Sequence, residues 1–145
     1  MEVRFRRRIV RHEFVHALLF DYLKGRTSAV PTWFMEGLAV QLTEDPWPEL
    51  EEAKLQTTAA IPLVSLHGDW KQQSLESAPR AYNESGEAAQ HLIDQYSVYS
   101  VRQVINLLAT GKSLDDVMQQ KLSVSYEQFQ HQWELDRTTT VRQGS

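Results

Sequence analysis

The sequence predicts a mainly α-helical single domain, on three observations. Long stretches free of proline and glycine carry apolar residues at helical spacing. Their ends are punctuated by glycine stops and by Ser or Thr caps. No hairpin signature, such as Asn-Gly between alternating runs, occurs anywhere. At 145 residues the chain is long enough for one core that folds without staples. It is read as a single domain over 1–137 with a frayed tail over 138–145, the end of "RTTTVRQGS".

The first helix is expected over residues 2–24, with Gly25 as its stop. Val10, Phe14 and Ala17 share one face, and Ile9, Leu19 and Leu23 lie near another, so this helix is expected to be central and wet on a narrow strip. Arg4, Arg6, Arg7, Arg8 and Arg11 crowd its start and read as a solvated stripe rather than a binding patch. "GRTSAVPT" is a loop, and Thr32 is the expected N-cap of a second helix over about 33–44. "EDPWP" ends that helix, and 49–59 is a candidate short helix. Residues 61–77 lack periodicity and read as a long loop. Helical spacing returns from Pro79 to Tyr96 and again from Val98 to Ala109. Gly111 fits a stop, and Ser113 with Asp116 and Ser125 with Gln128 fit caps with partners three residues on.

Composition narrows the chemistry. A hydrophobic share of 41% and a charged share of 23% are ordinary for a globular chain, and four Trp with ten other aromatics argue against disorder. With no cysteine, disulfides, thiolate metal sites and thiol nucleophiles are excluded, so any metal must be held by His, Asp or Glu. No apolar run is long enough to span a bilayer, and "MEVRFRRRIV" lacks the pattern of a signal peptide. The net charge of −4 speaks against nucleic acid as a partner.

"RHEFVHALL", residues 11–19, carries the most specific signal. His12 and His16 stand four apart, so on a helix both imidazoles point to one spot. Glu13 is rotated about 100° from His12 and stands beside that spot. This is the H-E-x-x-H arrangement: two nitrogen ligands for zinc and a carboxylate next to the water. A third ligand is expected from a neighbouring helix, and Glu36 lies twenty residues after His16 in "PTWFMEGLAVQL".

H-E-x-x-H followed by Trp33-Phe34-Met35-Glu36-Gly37-Leu38-Ala39 resembles the gluzincins, zinc peptidases whose third ligand is a glutamate. Within them it is most similar to the bacterial peptidase MA-like group. The resemblance implies a zincin-like fold, zinc held by His12, His16 and Glu36, Glu13 as general base, and a peptide or protein substrate. Gly37 and Ala39 are expected to let the second helix approach the first. "AYNESGEAAQHLIDQYS" is similar to a later helix of the group, which would make Tyr82 the phenol that hydrogen-bonds the oxyanion. The segment from Leu107 to Trp133 resembles its terminal helices.

Two departures from the family stand out. Gluzincins carry a β-sheet upstream of the histidine helix, whose edge strand binds substrate backbone. Here eleven residues precede His12, so the sheet is expected to be missing or minimal. Thermolysin-type members have an Asp four residues after the ligand Glu, where this chain has Val40, leaving Glu44 or Asp45 to support a histidine. Trp33 reads as core, His67, His91 and His131 as surface or structural, and Asp69 as a turn residue. The rival to an enzyme is a zinc-binding, non-hydrolytic domain with a partner-binding or regulatory role.

Overall fold

The computed structural model describes residues 2–26, 30–43, 61–68, 70 and 78–143. Among them are α1 (Glu2–Tyr22), α2 (Thr32–Leu42), a 3-10 turn (Leu63–Leu66), α3 (Ala78–Leu108), α4 (Leu114–Leu122) and α5 (Tyr126–Gln143), and no strand. The mainly helical expectation is met. No described helix is long and apolar enough to cross a membrane. The candidate helix over 49–59, Glu44, Asp45 and Asp69 lie outside the described residues.

The central helix is α2, not α1. Ten of the eleven residues of α2 are uncharged, and Trp33, Phe34, Gly37, Leu38 and Ala39 are all buried. It packs against α1, α3 and the 3-10 turn. On α1, by contrast, Val10, Phe14, Leu18 and Phe20 are each more than half exposed. The expectation of a helix wet on a narrow strip is therefore corrected. Helical spacing locates an apolar face, but it does not say whether another element covers that face. Arg6, Arg7 and Arg11 are exposed, in line with a solvated stripe.

Small residues set how closely α2 and α3 approach. A Cβ on Gly37 would run into the backbone carbonyl of Ser85, and it would meet Ala89 Cβ at 3.0 Å. On the α3 side of this contact, a Cβ on Gly86 would meet Val40 Cγ1 at 2.9 Å, and Gln41 donates to the Gly86 carbonyl at 2.7 Å. Gly37 thus serves the α2–α3 contact, not the expected approach to α1. The reason is rotational: Glu36 faces α1, and the next residue points about 100° away.

Helix ends follow local rules. Gly25, with φ +72°, donates its N–H to the Phe20 carbonyl at 3.0 Å and closes α1. At α2 the cap position is Pro31, which offers no side-chain acceptor, and Thr32 is the first helical residue. The Thr32 N–H instead donates to the His67 carbonyl at 3.0 Å, tying α2 to the 3-10 turn. Within α3, Ser97 at φ 78°, ψ 156° breaks the helix at the position between the two segments that the sequence separates. Ser113 Oγ accepts from Asp116 N–H at 3.2 Å, and Ser125 and Gln128 cap each other reciprocally. Helix α5 continues to Gln143, past the point where fraying was expected.

Two contacts fasten α5. Trp33 stacks on Phe129 and Tyr126, with centroids 6.1 and 6.3 Å away, and its indole N–H donates to the Tyr126 hydroxyl at 2.8 Å. Arg137 pairs with the fully buried Glu84 of α3, and its Nε lies 3.4 Å from Glu87. Burial, then the charge of Arg80, lowers the Arg137 pKa.

Candidate metal centre

Helical spacing within α1 and the α1–α2 contact bring three ligand-type side chains to one point. His12 Nε2 lies 2.9 Å from Glu36 Oε2, His16 Nε2 lies 3.1 Å from the same oxygen, and the two Nε2 atoms are 3.0 Å apart. The imidazole rings meet edge to face with centroids 4.7 Å apart. His12 is buried, while His16 and Glu36 are partly exposed.

The electrostatics suit a cation. Burial alone would raise the Glu36 pKa. The hydrogen bonds from His12 and His16, with their charges, outweigh it and hold the carboxyl down to about 2. His16 is raised by its hydrogen bond to Glu36 and by the charges of Glu36 and Glu13, against the opposing pull of burial. One carboxylate oxygen of Glu36 thus faces both imidazoles.

The donor set fits a metal ion. Three groups with lone pairs converge so that one atom of each lies within 4.8 Å of the others, and His and carboxylate are ligands that zinc accepts. Ligand atoms about 2.1 Å from a tetrahedral ion stand roughly 3.4 Å apart, close to the spacing seen here. His12, His16 and Glu36 are the only such group among the described residues.

These residues open into a cleft of about 350 Å³ lined by Ile9, His12, Glu13, His16, Glu36 and Tyr82. All five residues expected at the site from the sequence therefore border one space. Comparison with known protein families, curated proteins and solved structures finds no match. The site is accordingly read from its own chemistry. Glu13 is exposed at the cleft edge. Tyr82 enters from α3, its ring 6.0 Å from His12 at 79°. Burial, then the carboxylates of Glu36 and Glu13, raises its pKa, which keeps the phenol protonated at neutral pH.

Histidines outside the cleft have other surroundings. His91 lies 3.6 Å from Asp136 and against Phe129 and Trp133, and burial lowers its pKa despite the charges of Asp136 and Asp94. His67 is exposed beside Tyr126, and His131 is exposed. Trp33 is core, as expected. Val40 packs toward Gly86. Sequence reasoning did not single out Trp70, whose ring meets Tyr82 at 5.0 Å. A lone aromatic in a non-periodic segment carries no spacing signal.

Proposed function

We propose that this chain is a zinc-dependent peptidase of the gluzincin type, with His12, His16 and Glu36 as the metal ligands. The observation that carries the reading is the convergence of three ligand atoms within about 3 Å in a cleft that Glu13 and Tyr82 also line. The resemblance of the two motifs to gluzincins supports it.

When bound, the ion supplies Lewis acidity, which acidifies water and polarises a substrate carbonyl. The protein supplies the proton handling. Glu13 accepts the proton of the attacking water as general base and returns it to the departing amine. Its exposure at the cleft edge leaves it accessible to water and to substrate. Tyr82, kept protonated, donates its hydroxyl hydrogen to the developing oxyanion. An open cleft bordered by carboxylates and imidazoles suits the amide backbone of a peptide or protein segment.

The test separates metal binding from chemistry. Purified chain should hold about one zinc, the expectation for a three-ligand site. His16→Ala and Glu36→Gln should lose it on dialysis. Glu13→Gln should keep the zinc and the fold but lose at least about a hundredfold in rate on an unstructured peptide library. Tyr82→Phe should lose less, since one oxyanion donor goes and the metal stays. Unchanged zinc occupancy in both ligand variants would sink the metal assignment. Wild type without turnover, but with zinc, would favour the non-hydrolytic domain.

A further inference from the structure

The Tyr82 ring has two aromatic neighbours. The His12 ring meets it at 6.0 Å and 79°, and the Trp70 ring at 5.0 Å and 75°. Both are edge-to-face geometries at attractive centroid separations. Trp70 is not among the residues that line the cleft, so it meets Tyr82 away from the space where a ligand would sit.

The indole is itself anchored. Its N–H donates to the Leu66 carbonyl at 3.2 Å, and Leu63 and Leu66 of the same 3-10 turn are fully buried in the core. That turn also receives the Thr32 N–H through His67, at the start of the helix that carries Glu36. One short turn therefore sets the position of both the Glu36 helix and the Tyr82 ring. A tyrosine has alternative staggered rotamers, and a second ring packed against it and anchored in the core removes those that would overlap that ring.

We propose that Trp70 is a positioning residue that holds the Tyr82 ring against the His12–His16–Glu36 cluster. The role of the held phenol rests on the hydrolytic reading above; the clamp does not. It also gives the non-periodic segment around residues 61–70 a task, since it carries the anchor for a residue twelve positions after Trp70.

The test labels the full chain with 3-fluorotyrosine and follows its five tyrosines by ¹⁹F NMR, with Tyr82 assigned through Tyr82→Phe. In Trp70→Ala the Tyr82 resonance should lose the ring-current displacement and move toward the free amino acid, while the other resonances stay. Trp70→Phe should retain most of the displacement. Trp70→Leu, which fills volume without a ring, keeps the test available if the alanine variant fails to fold. An unmoved Tyr82 resonance in the ringless variants overturns the clamp. On a quenched peptide substrate, Trp70→Ala should lower kcat about tenfold with KM changed less than about twofold, and Trp70→Phe should restore it. This loss is smaller than the ~10²–10³ for deleting a donor outright. A rise in KM at constant kcat would make Trp70 a substrate contact and overturn positioning. If wild type turns over no peptide, the hydrolytic reading fails and the resonance shift still decides the clamp.

Discussion

The phenol of Tyr126 accepts the indole hydrogen of Trp33, a buried aromatic of α2, and is itself partly buried. Burial pushes its pKa up to about 12, and the Trp33 N–H only partly opposes this. A phenol that holds its proton longer when folded stabilises the fold fully below pH 10 and loses that contribution as pH rises through 12. The size is on the order of 2 kcal/mol. Urea melts of wild type should therefore weaken between pH 10 and 12, and Tyr126→Phe should flatten that limb. The same variant should be less stable at pH 7 by about 1–2 kcal/mol, because it leaves a buried indole N–H without its acceptor. At this scale the lining of one cleft was legible: helical spacing and two short motifs pointed to His12, Glu13, His16 and Glu36, a resemblance further along the chain pointed to Tyr82, and all five border it. Trp70 was not readable, because its contact with Tyr82 spans a segment without periodicity.

Between elements, the α2–α3 contact depends on two glycines of unequal importance. At Gly37 the obstacle to a side chain is the Ser85 backbone, which cannot move without shifting α3. At Gly86 the obstacle is a methyl group of Val40, which yields to a small side-chain shift more readily than backbone does. Gly37→Ala should cost about 3 kcal/mol, the upper part of the usual overpacking range, and Gly86→Ala about 1 kcal/mol. Thermal melts order the pair. Zinc titration should weaken more in Gly37→Ala, because Glu36 is its immediate neighbour on a displaced helix. Helix positions were legible from caps and stops, including the break at Ser97 between Tyr96 and Val98. The partner of Gly37 was not. A small residue announces a close approach, but the sequence does not name the helix that makes it.

Across the whole molecule, α1 contributes two ligands and α2 the third, so a bound cation would join the exposed helix to the central one. A ligand that binds only the folded state stabilises it by mass action, about 2.7 kcal/mol at a hundredfold excess over Kd. Chelator should therefore lower the melting temperature of zinc-loaded protein, and scanning calorimetry with and without chelator measures it. Identical curves would mean that the cluster holds no ion of consequence. The prominence of α2 in the interior was only partly legible. Its single charge in eleven residues is a signal of burial, but the expectation of a central helix went to α1 on its apolar residues, and the outer side of α1 stands in solvent.

That one-sided seating of α1 has a kinetic consequence. A helix gripped along a single stripe opens to solvent as a unit, at a free energy below that of global unfolding. Its amide hydrogens should exchange with deuterium sooner than those of α2, whose surroundings are closed. An ion bridging the two helices would have to leave before α1 swings out. The exchange lifetime of the amides from Arg8 to His16 thus becomes a clock for site occupancy. It would run even where no substrate is at hand.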